Sequence, residues 1–420
     1  MSDVSSRPFS KLLVLLLAVF LAFNSVALAQ SRPQKGDEPK SGGKKNQRPV
    51  PKTEAELKAE EERRRLEEEE KNAVVDDEVL KIKTSIVNVD AVVYNKKTGQ
   101  IVTGLKRENF AVFENGVKQE ITNFATPEAP ITVTLVVEFS KLSELFGYYA
   151  TRGQEAGKLE VIRPVAYFLS KFISPPNDYA SVIAYDLRPT TITDFTNDPN
   201  RLRQTVDLLL RNTPAFRDSN LFDALKFALV GGKGDAVVLE KTKERTAEFS
   251  GMVDVKAQRR AIILVASGID TFSKINYGDI RKLIQNSGIP IYIVSTGNLF
   301  IKLYDNRLDA VDSIDGMPGR LTFLQAQNAM NTFAKESGGQ HFPITFQGEI
   351  PNVLQSINAL MRNQYSIAYD AAEIREAGKK FNLQVKVDVD GDGQYEGKDY
   401  VIQHRPFYTT PKEEKPKSEK

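Results

Sequence analysis

One continuous apolar segment constrains the fold of this chain more than any other feature. It runs from Ile131 to Phe139 (ITVTLVVEF) and is rich in β-branched residues. Such a run is typical of a strand that is buried on both faces, as in a parallel sheet covered by helices. Glu138 and Ser140 stand at its carboxyl end, which is the edge where open α/β sheets place their sites. The segment therefore predicts a central strand and the position of a functional site.

Strands and helices alternate along the chain after this segment. The runs that predict strands are Tyr179–Tyr185, Thr190–Phe195, Arg260–Ala266 and Pro290–Ser295. The stretches that predict helices are Lys158–Phe172, Asp198–Arg211, Asn220–Val230, Tyr277–Asn286, Leu321–Ser337 and Gly348–Arg362. We therefore expect an α/β fold with a doubly wound, mainly parallel sheet. Residues 231–258 are interpreted as a surface insertion with some helix, and residues 298–319 as a long loop.

Short strands flank this α/β part on both sides. Residues 79–126 alternate apolar and polar positions, and Asn115-Gly116 between two apolar runs predicts a hairpin. Residues 364–410 return to the same pattern. Each flank is too short for a core of its own. We expect the two flanks to pack together as a β-sandwich-like module beside the α/β domain, which spans residues 127–363.

The first 29 residues have the features of a secretory signal peptide. Arg7 and Lys11 precede or open an apolar run from Leu12 to Phe23, and Ala27-Leu28-Ala29 matches a cleavage site. Residues 30–78 are predicted to be a disordered and charged helical linker, and residues 411–420 a disordered tail. The mature protein is therefore expected to be secreted or periplasmic, with no stable membrane span after cleavage at Ala29.

Composition excludes several classes of chemistry. The chain has no cysteine, two histidines and a formal net charge of +2. Thiol chemistry and disulfides are therefore absent, histidine-rich metal sites are not expected, and nothing in the charge favours nucleic acid as a partner. The sequence also contains no G-x-S-x-G, phosphate-binding P-loop or H-E-x-x-H motif. We predict that the protein is not an enzyme.

Several strings, in order along the chain, resemble one known family. They are TSIVNVDAVVYNKKTGQIVTGLKRENFAVFENGVKQEITNF, LFDAL, SGIDTFS, SGGQHF and MRNQYSIAY. Together they cover about residues 81 to 409 and resemble the von Willebrand factor A (VWA)-related proteins of Acidobacteria. The resemblance implies a VWA fold for residues 127–363 and a role in adhesion or protein–protein interaction. It also implies a protein partner in the cell envelope or the extracellular space.

VWA domains often carry a metal-ion-dependent adhesion site, and the resemblance implies where that site would be. The family pattern is D-x-S-x-S after the first strand, a later Thr, and an Asp after the fourth strand; hydroxyl and carboxylate oxygens suit Mg²⁺. The residues of this chain at or near those positions are Glu138, Ser140, Leu142, Ser143, Ser219, Ser267 and Asp270. Most depart from the pattern, so we expect a degenerate site without Mg²⁺. The alternative is a polar cluster that hydrogen-bonds the loops at the edge of the sheet.

A second oxygen-rich string runs from Asp388 to Asp399 (DVDGDGQYEGKD). Its acidic residues fall at positions 1, 3, 5 and 12 of an EF-hand-type loop, with Gly393 at position 6. These residues are Asp388, Asp390, Asp392 and Asp399. The flanks are predicted strands rather than helices, so two interpretations stay open. The loop either binds Ca²⁺ or is a β-hairpin turn that uses Asp and Gly for its conformation.

These observations favour a secreted or periplasmic VWA-type interaction or adhesion protein with a degenerate metal site. The alternative from another class is a secreted structural protein whose β module is stabilised by Ca²⁺. A hydrolase is a third alternative, and no catalytic motif in the sequence supports it.

Overall fold

A computed structural model describes residues 86–410, except 128, 142–155, 213, 237–245, 258, 305, 307, 315–317, 372–377 and 396. The predicted signal peptide, linker and C-terminal tail lie outside the described residues. None of the helices within this range is long and apolar enough to cross a membrane.

The secondary structure of the described residues alternates as the sequence predicts. The strands are β1 (Ile86–Asn95), β2 (Phe110–Glu114), β3 (Val117–Gln119), β4 (Ile121–Ala125), β5 (Ile131–Glu138), β6 (Tyr179–Tyr185), β7 (Pro189–Thr196), β8 (Gly232–Ala236), β9 (Thr246–Phe249), β10 (Arg259–Ala266), β11 (Ile291–Ser295), β12 (His341–Pro343), β13 (Tyr365–Asp370), β14 (Lys380–Val387), β15 (Tyr400–Gln403) and β16 (Phe407–Thr409). The α-helices are α1 (Ala156–Lys171), α2 (Pro199–Arg211), α3 (Leu221–Val230), α4 (Gly251–Asp254), α5 (Tyr277–Ser287), α6 (Gly297–Tyr304), α7 (Arg320–Ser337) and α8 (Ile350–Arg362).

A mixed eight-stranded sheet forms the centre of the α/β part. Its order is β12-β11-β10-β5-β6-β7-β8-β9. The strands from β12 to β6 are parallel to their neighbours, whereas β7 is antiparallel to β6. Every residue of β5 is buried, as its continuous apolar sequence predicts. The described chain is therefore a mixed α/β protein with β5 near the middle of its largest sheet.

Helices cover both faces of this sheet, because the side chains of each buried strand point alternately to either side. On one face, Val133, Leu135 and Val137 of β5 belong to a core that includes residues of α1, α2 and α8. On the other face, Val136 belongs to a core with residues of α3, α5 and α7. The strand ends are therefore framed by helices on two sides, and the loops at the carboxyl edge are held close together.

The flanking strands form two four-stranded sheets, in the orders β15-β1-β13-β4 and β16-β14-β2-β3. Strands from the two ends of the described chain pair directly, since β1 pairs with β13 and β2 with β14. Val89, Val112, Tyr365 and Val385 lie in the core that these sheets share. Contacts join the described residues into one compact unit. The division of that unit into separate domains therefore stays a prediction.

The predicted hairpin at Asn115-Gly116 is confirmed. Both residues have positive φ, 48° and 85°, and they connect the antiparallel strands β2 and β3. Positive φ at both central positions matches the right-handed twist of the flanking strands, which is why Asn-Gly is favoured there.

Three interpretations of loops were wrong in part. The predicted long loop begins with helix α6, whose Phe300 packs with Phe323 in a small apolar core. The predicted insertion contains the expected helix, α4, but its strands β8 and β9 were not predicted; they extend the large sheet by pairing with β7 and with each other. The sequences GKGDA and TAEF have weak strand patterns, so sheet pairing rather than propensity decides their conformation. The Asp388–Asp399 segment is not a hairpin turn, because β14 and β15 belong to different sheets.

A buried carboxylate fixes the amino end of β5. Asp178 accepts hydrogen bonds from the backbone N–H of Ile131 at 3.0 Å and of Ser174 at 2.9 Å, and it forms an ion pair with Arg362. Burial raises the pKa of Asp178, but the hydrogen bonds from Arg362 and the two amides outweigh this and hold the pKa below its ordinary value. The charged carboxylate therefore contributes to stability.

We predict that Asp178→Asn lowers the free energy of unfolding by about 3 kcal/mol at neutral pH, since it breaks a buried ion pair. Urea denaturation followed by circular dichroism measures this loss. The folded-state pKa lies below the unfolded value of about 3.9, so the stabilisation is present above that pH and is lost as the pH falls through the folded-state pKa. The difference between the two proteins should therefore shrink in acid. A difference that stays constant down to acidic pH would contradict the role of the charge.

Candidate functional site

The residues predicted for the adhesion site lie at the carboxyl edge of the large sheet. Glu138 ends β5, Ser219 precedes α3, and Ser267 follows β10. Because β5 and β10 are adjacent and parallel, their carboxyl ends lie side by side. Ser140 belongs to the loop that leaves β5, while Leu142 and Ser143 lie outside the described residues.

Glu138 is fully buried, and each of its carboxyl oxygens accepts a hydrogen bond. Oε1 accepts from the hydroxyl of Ser140 at 3.0 Å, and Oε2 accepts from the backbone N–H of Ser267 at 2.6 Å. The carboxyl group thus connects the loop after β5 to the loop after β10. Burial raises the pKa of Glu138, and the hydrogen bonds from Ser267 and Ser140, together with the nearby hydroxyl of Ser219, oppose this shift without cancelling it.

Two buried hydroxyls lie next to this carboxyl group. Ser219 Oγ and Tyr185 Oη are both buried without a hydrogen-bond partner of good geometry. The Ser219 hydroxyl is nevertheless close enough to Glu138 and Tyr185 to lower both pKa values. Burial raises the pKa of Tyr185 well above its ordinary value, and the nearby charge of Glu138 adds to this shift. At neutral pH the tyrosine is therefore an uncharged hydroxyl.

Asp270 lies on the same edge but is engaged elsewhere. Its Oδ1 accepts hydrogen bonds from the backbone N–H of Phe222 at 3.0 Å and from the hydroxyl of Ser273 at 2.5 Å. Asp223 of α3 accepts in return from the backbone N–H groups of Lys274 and Ile275, at 2.9 and 3.1 Å. The two aspartates therefore connect the start of α3 to the loop after β10, as carboxylates at a helix start commonly do.

Asn220 is a site residue that sequence reasoning did not single out. Its side-chain amide donates to the carbonyl oxygens of Leu187 at 2.9 Å and Phe272 at 3.2 Å. Its Oδ1 accepts from the backbone N–H of Phe272 at 3.0 Å. One side chain thus holds three loops of the carboxyl edge. The only sequence signal was an amide at the first position of a predicted helix.

The described residues do not fit a Mg²⁺ ion at this edge. The hydrogen bonds of Glu138 run to the neighbouring loops of the protein, and Asp270 holds a backbone amide. Glu138, Ser140, Ser219 and Ser267 are all fully buried. Mg²⁺ requires near-octahedral geometry and usually keeps several waters, and an adhesion site also needs an open position for a partner's carboxylate. A buried cluster closed by its own hydrogen bonds offers neither.

The acidic loop between β14 and β15 differs from this buried cluster, because two of its three clustered carboxylates are exposed to solvent. Carboxylate oxygens of Asp388, Asp390 and Asp392 lie within 4.8 Å of one another. Asp388 is buried and accepts from the backbone N–H groups of Gly391 and Gly393, at 2.7 and 2.8 Å. Asp399 is not in this group; its carboxylate lies 3.9 Å from Nζ of Lys97. The loop thus presents an oxygen cluster of the kind that Ca²⁺ binds, built by Asp388.

Exposed apolar side chains stand on the loops that enclose the buried cluster. Phe272 is 71% exposed and Phe216 is 46% exposed. The backbone of Phe216 is fixed by Lys141, whose N–H donates to its carbonyl oxygen at 2.8 Å. We call the segments 139–141, 214–220 and 267–274 the rim. A cavity of about 160 Å³ lies beside the rim and is lined by Phe139, Asp186, Ile192 and Leu209, among others.

Comparisons with known proteins do not identify a family for this chain. No protein-family profile and no curated protein matches it. Among solved structures, an aerotolerance-related membrane protein from Bacteroides fragilis is 13% identical, with a TM-score of 0.34, over 55% of this chain and 98% of that one. The PilB minor pilin from Streptococcus sanguinis is 10% identical, with a TM-score of 0.39, over 56% and 62%.

A third similar structure is proximal thread matrix protein 1 from the mussel byssus, with a zinc-occupied MIDAS motif. It is 9% identical, with a TM-score of 0.36, over 60% of this chain and 50% of that one. This chain therefore spans about half to two thirds of the pilin and the byssus protein. Likenesses with TM-scores this low do not decide the fold family or the function.

We predict that Ca²⁺ binds the acidic loop and stabilises the folded chain. Binding only to the folded state should add about 2.7 kcal/mol at a hundredfold excess over the dissociation constant. Isothermal calorimetry and thermal unfolding measure this effect. Mg²⁺ should do less, because it is smaller and dehydrates reluctantly.

Three variants separate the ligand role from the structural role. Asp390→Ala with Asp392→Ala should abolish the Ca²⁺ response, whereas Asp399→Ala, outside the cluster, should retain it. Asp388→Ala should lower stability even in EDTA, because it removes the acceptor for two backbone amides. No heat of binding for the wild type at millimolar Ca²⁺ would show that the loop binds no calcium.

Proposed function

We propose that this protein is an extracytoplasmic VWA-type interaction or adhesion protein that recognises a protein partner through the rim without a catalytic step. The observation that carries the proposal is the exposure of Phe272 and Phe216 on loops that are fixed by a buried hydrogen-bonded cluster. Exposed aromatic side chains on rigid loops are typical anchors of protein interfaces, because little conformational entropy is lost when they bind.

The VWA assignment is supported by the sequence resemblance together with the position of the site. Glu138, Ser140, Ser219 and Ser267 stand at or near the positions of the family's metal ligands, and the fold brings them to one edge of the sheet. The apolar run of residues 12–23 and the alanines that follow it support secretion to the periplasm or beyond. A partner in the cell envelope or the extracellular space would meet the rim there.

The chemistry of the described residues supports recognition rather than catalysis. Glu138 is the buried acid of the site, and no histidine lies in its hydrogen-bond network within the described part of the chain. His404 accepts from the backbone N–H of Val385 at 3.3 Å, in the β sandwich. Burial lowers the pKa of His341 to about 4, so it is neutral at physiological pH. The hydroxyl of Ser140 donates to Glu138, but both groups are fully buried, so this hydroxyl–carboxyl pair is closed to a substrate.

The charges around the rim favour a partner with an apolar side chain flanked by acidic residues. Lys141 and Lys274 are exposed next to the two phenylalanines. The nearby carboxylates of Asp186, Asp223 and Asp270 accept hydrogen bonds from backbone amides, so they are turned toward the protein. Arg217 is also exposed and Asp218 is half-buried, so the rim has three exposed basic side chains and, besides Asp270, one partly exposed acid, which complements an acidic partner.

We predict that a displayed library of random peptides, selected on the wild-type protein in EDTA, yields peptides with an apolar residue between acidic ones. Phe272→Ser should weaken their binding at least tenfold, because it removes an aromatic anchor from the interface. Fluorescence anisotropy measures this loss. Charge reversal at Lys141 and Lys274 should weaken binding and reduce its dependence on salt.

Val117→Ser is the matched control. Val117 is 64% exposed, close to the exposure of Phe272, but it lies on β3 of the sandwich, away from the rim. Binding should be unchanged in this variant. Peptides that bind the wild type and the Phe272→Ser variant equally well would contradict recognition by the rim.

A second candidate function is supported by the acidic loop. The cluster of Asp388, Asp390 and Asp392 suits a secreted structural protein whose β sandwich is stabilised by Ca²⁺. In that case the α/β part would serve as a scaffold. Substitutions in the rim would leave the Ca²⁺-dependent stability of the protein unchanged, whereas Asp390→Ala with Asp392→Ala would remove it.

A further inference from the structure

We propose that the Glu138 carboxyl group takes the place of the metal ion that the resembled family uses, so that the rim is assembled permanently and without a divalent cation. The inference concerns the same site as the proposed function and rests on it for the role of the rim. It assigns to Glu138 the role of a positioning residue, which holds the recognition loops through other groups and does not contact the partner.

The first observation is that one side chain connects separate loops. Glu138 binds the hydroxyl of Ser140 through Oε1 and the backbone N–H of Ser267 through Oε2. A bound cation in an adhesion site also connects separate loops, because its ligands come from several of them. Here the Glu138 side chain connects the two loops directly, with one hydrogen bond at each carboxyl oxygen.

The second observation is that this connection extends to the loop before α3. The N–H of Lys141, next to Ser140, donates to the carbonyl oxygen of Phe216 at 2.8 Å. Thr271 donates its N–H to the carbonyl oxygen of Ser219 at 2.9 Å, and its Oγ1 accepts from the N–H of Ser219 at 3.0 Å. All three segments of the rim are therefore joined by hydrogen bonds within the protein, and these bonds position the backbones of Phe216 and Phe272.

The third observation is the length of the side chain. Aspartate at this position would withdraw the carboxyl group by about 1.5 Å, the length of one C–C bond. Hydrogen bonds at 2.6 and 3.0 Å do not survive a change of that size without movement of the backbone. Glutamate is therefore the residue that spans the distance, whereas aspartate is the residue that a metal site would use.

The substitution of Glu138 by Gln and by Asp separates the two possible roles. Gln keeps an acceptor for Ser267 and a polar group for Ser140 at the same distance, but it is a poor ligand for Mg²⁺. Asp restores the metal ligand of the family pattern but is too short to connect the loops. A positioning role therefore predicts that the wild type and Gln are more stable than Asp, whereas a metal-ligand role predicts that Mg²⁺ stabilises the wild type and Asp but not Gln.

The experiment is thermal unfolding in EDTA and in 10 mM Mg²⁺, a concentration of about a hundredfold or more over a 0.1 mM site. All proteins carry Asp390→Ala and Asp392→Ala, so that the acidic loop cannot respond. The parent is the protein with these two substitutions and Glu138 intact. We expect Glu138→Gln to unfold within about 2 °C of the parent, and Glu138→Asp to unfold at least about 5 °C below it. Mg²⁺ should leave all three unfolding temperatures unchanged. A Mg²⁺-dependent rise in the parent that is lost in Glu138→Gln and kept in Glu138→Asp would overturn the inference.

Equal losses in Glu138→Gln and Glu138→Asp would also overturn it, because Gln retains the connecting geometry. If a variant does not fold, the parent's response to Mg²⁺ still decides the question. Peptide binding distinguishes this inference from the proposed function. Binding that requires Mg²⁺ overturns the inference and leaves the function intact. A cation-independent stability order without any peptide binding supports the inference and counts against the function.

Discussion

The burial of the Glu138 carboxyl group is the constraint on which the functional edge of this protein depends. An acid that is fully buried must have its hydrogen bonds satisfied, because leaving them unmade costs about 1–3 kcal/mol for each group, and more for a charged one. Ser140 and the backbone of Ser267 satisfy it, and in doing so they bring together the ends of β5 and β10. The loop of Phe272 begins at Ser267, and hydrogen bonds of Lys141 and Thr271 extend this arrangement to the loop of Phe216.

A carboxyl group also fixes the opposite end of the same strand. Asp178 binds the N–H of Ile131, so β5 is held at its amino end by one acid and at its carboxyl end by another. The β sandwich is joined to this frame by the buried Arg405, which donates to carbonyl oxygens of Gln285 on α5 and Asn88 on β1. Burial lowers the pKa of Arg405 to about 10, so the side chain remains charged at neutral pH. Buried polar contacts thus define the geometry, and apolar burial supplies most of the stability.

Sequence patterns predicted the elements that depend on local information. The continuous apolar run gave β5, and the Asn115-Gly116 turn followed from its backbone requirements. The sequence patterns did not predict the elements whose conformation depends on contacts between residues far apart in the sequence. Helix α6 is stabilised by packing of Phe300 on Phe323, and the acidic loop joins two sheets because β14 pairs with β2 while β15 pairs with β1. At the site, parallel strand ends explained why Glu138 and Ser267 meet, but the bonds of Asn220 required knowledge of where three loops lie.

In our proposal the Glu138 carboxyl group occupies the place of a cation, and hydrogen bonds within the protein hold the rim together. Anomalous diffraction from crystals of the wild-type protein soaked in Mn²⁺ tests it most directly, because Mn²⁺ accepts the same oxygen ligands as Mg²⁺ and is located without ambiguity. We expect no anomalous peak at Glu138, with its oxygens still hydrogen-bonded to Ser140 and Ser267. A peak at about 2.1 Å from a Glu138 oxygen, a coordination distance, would contradict it.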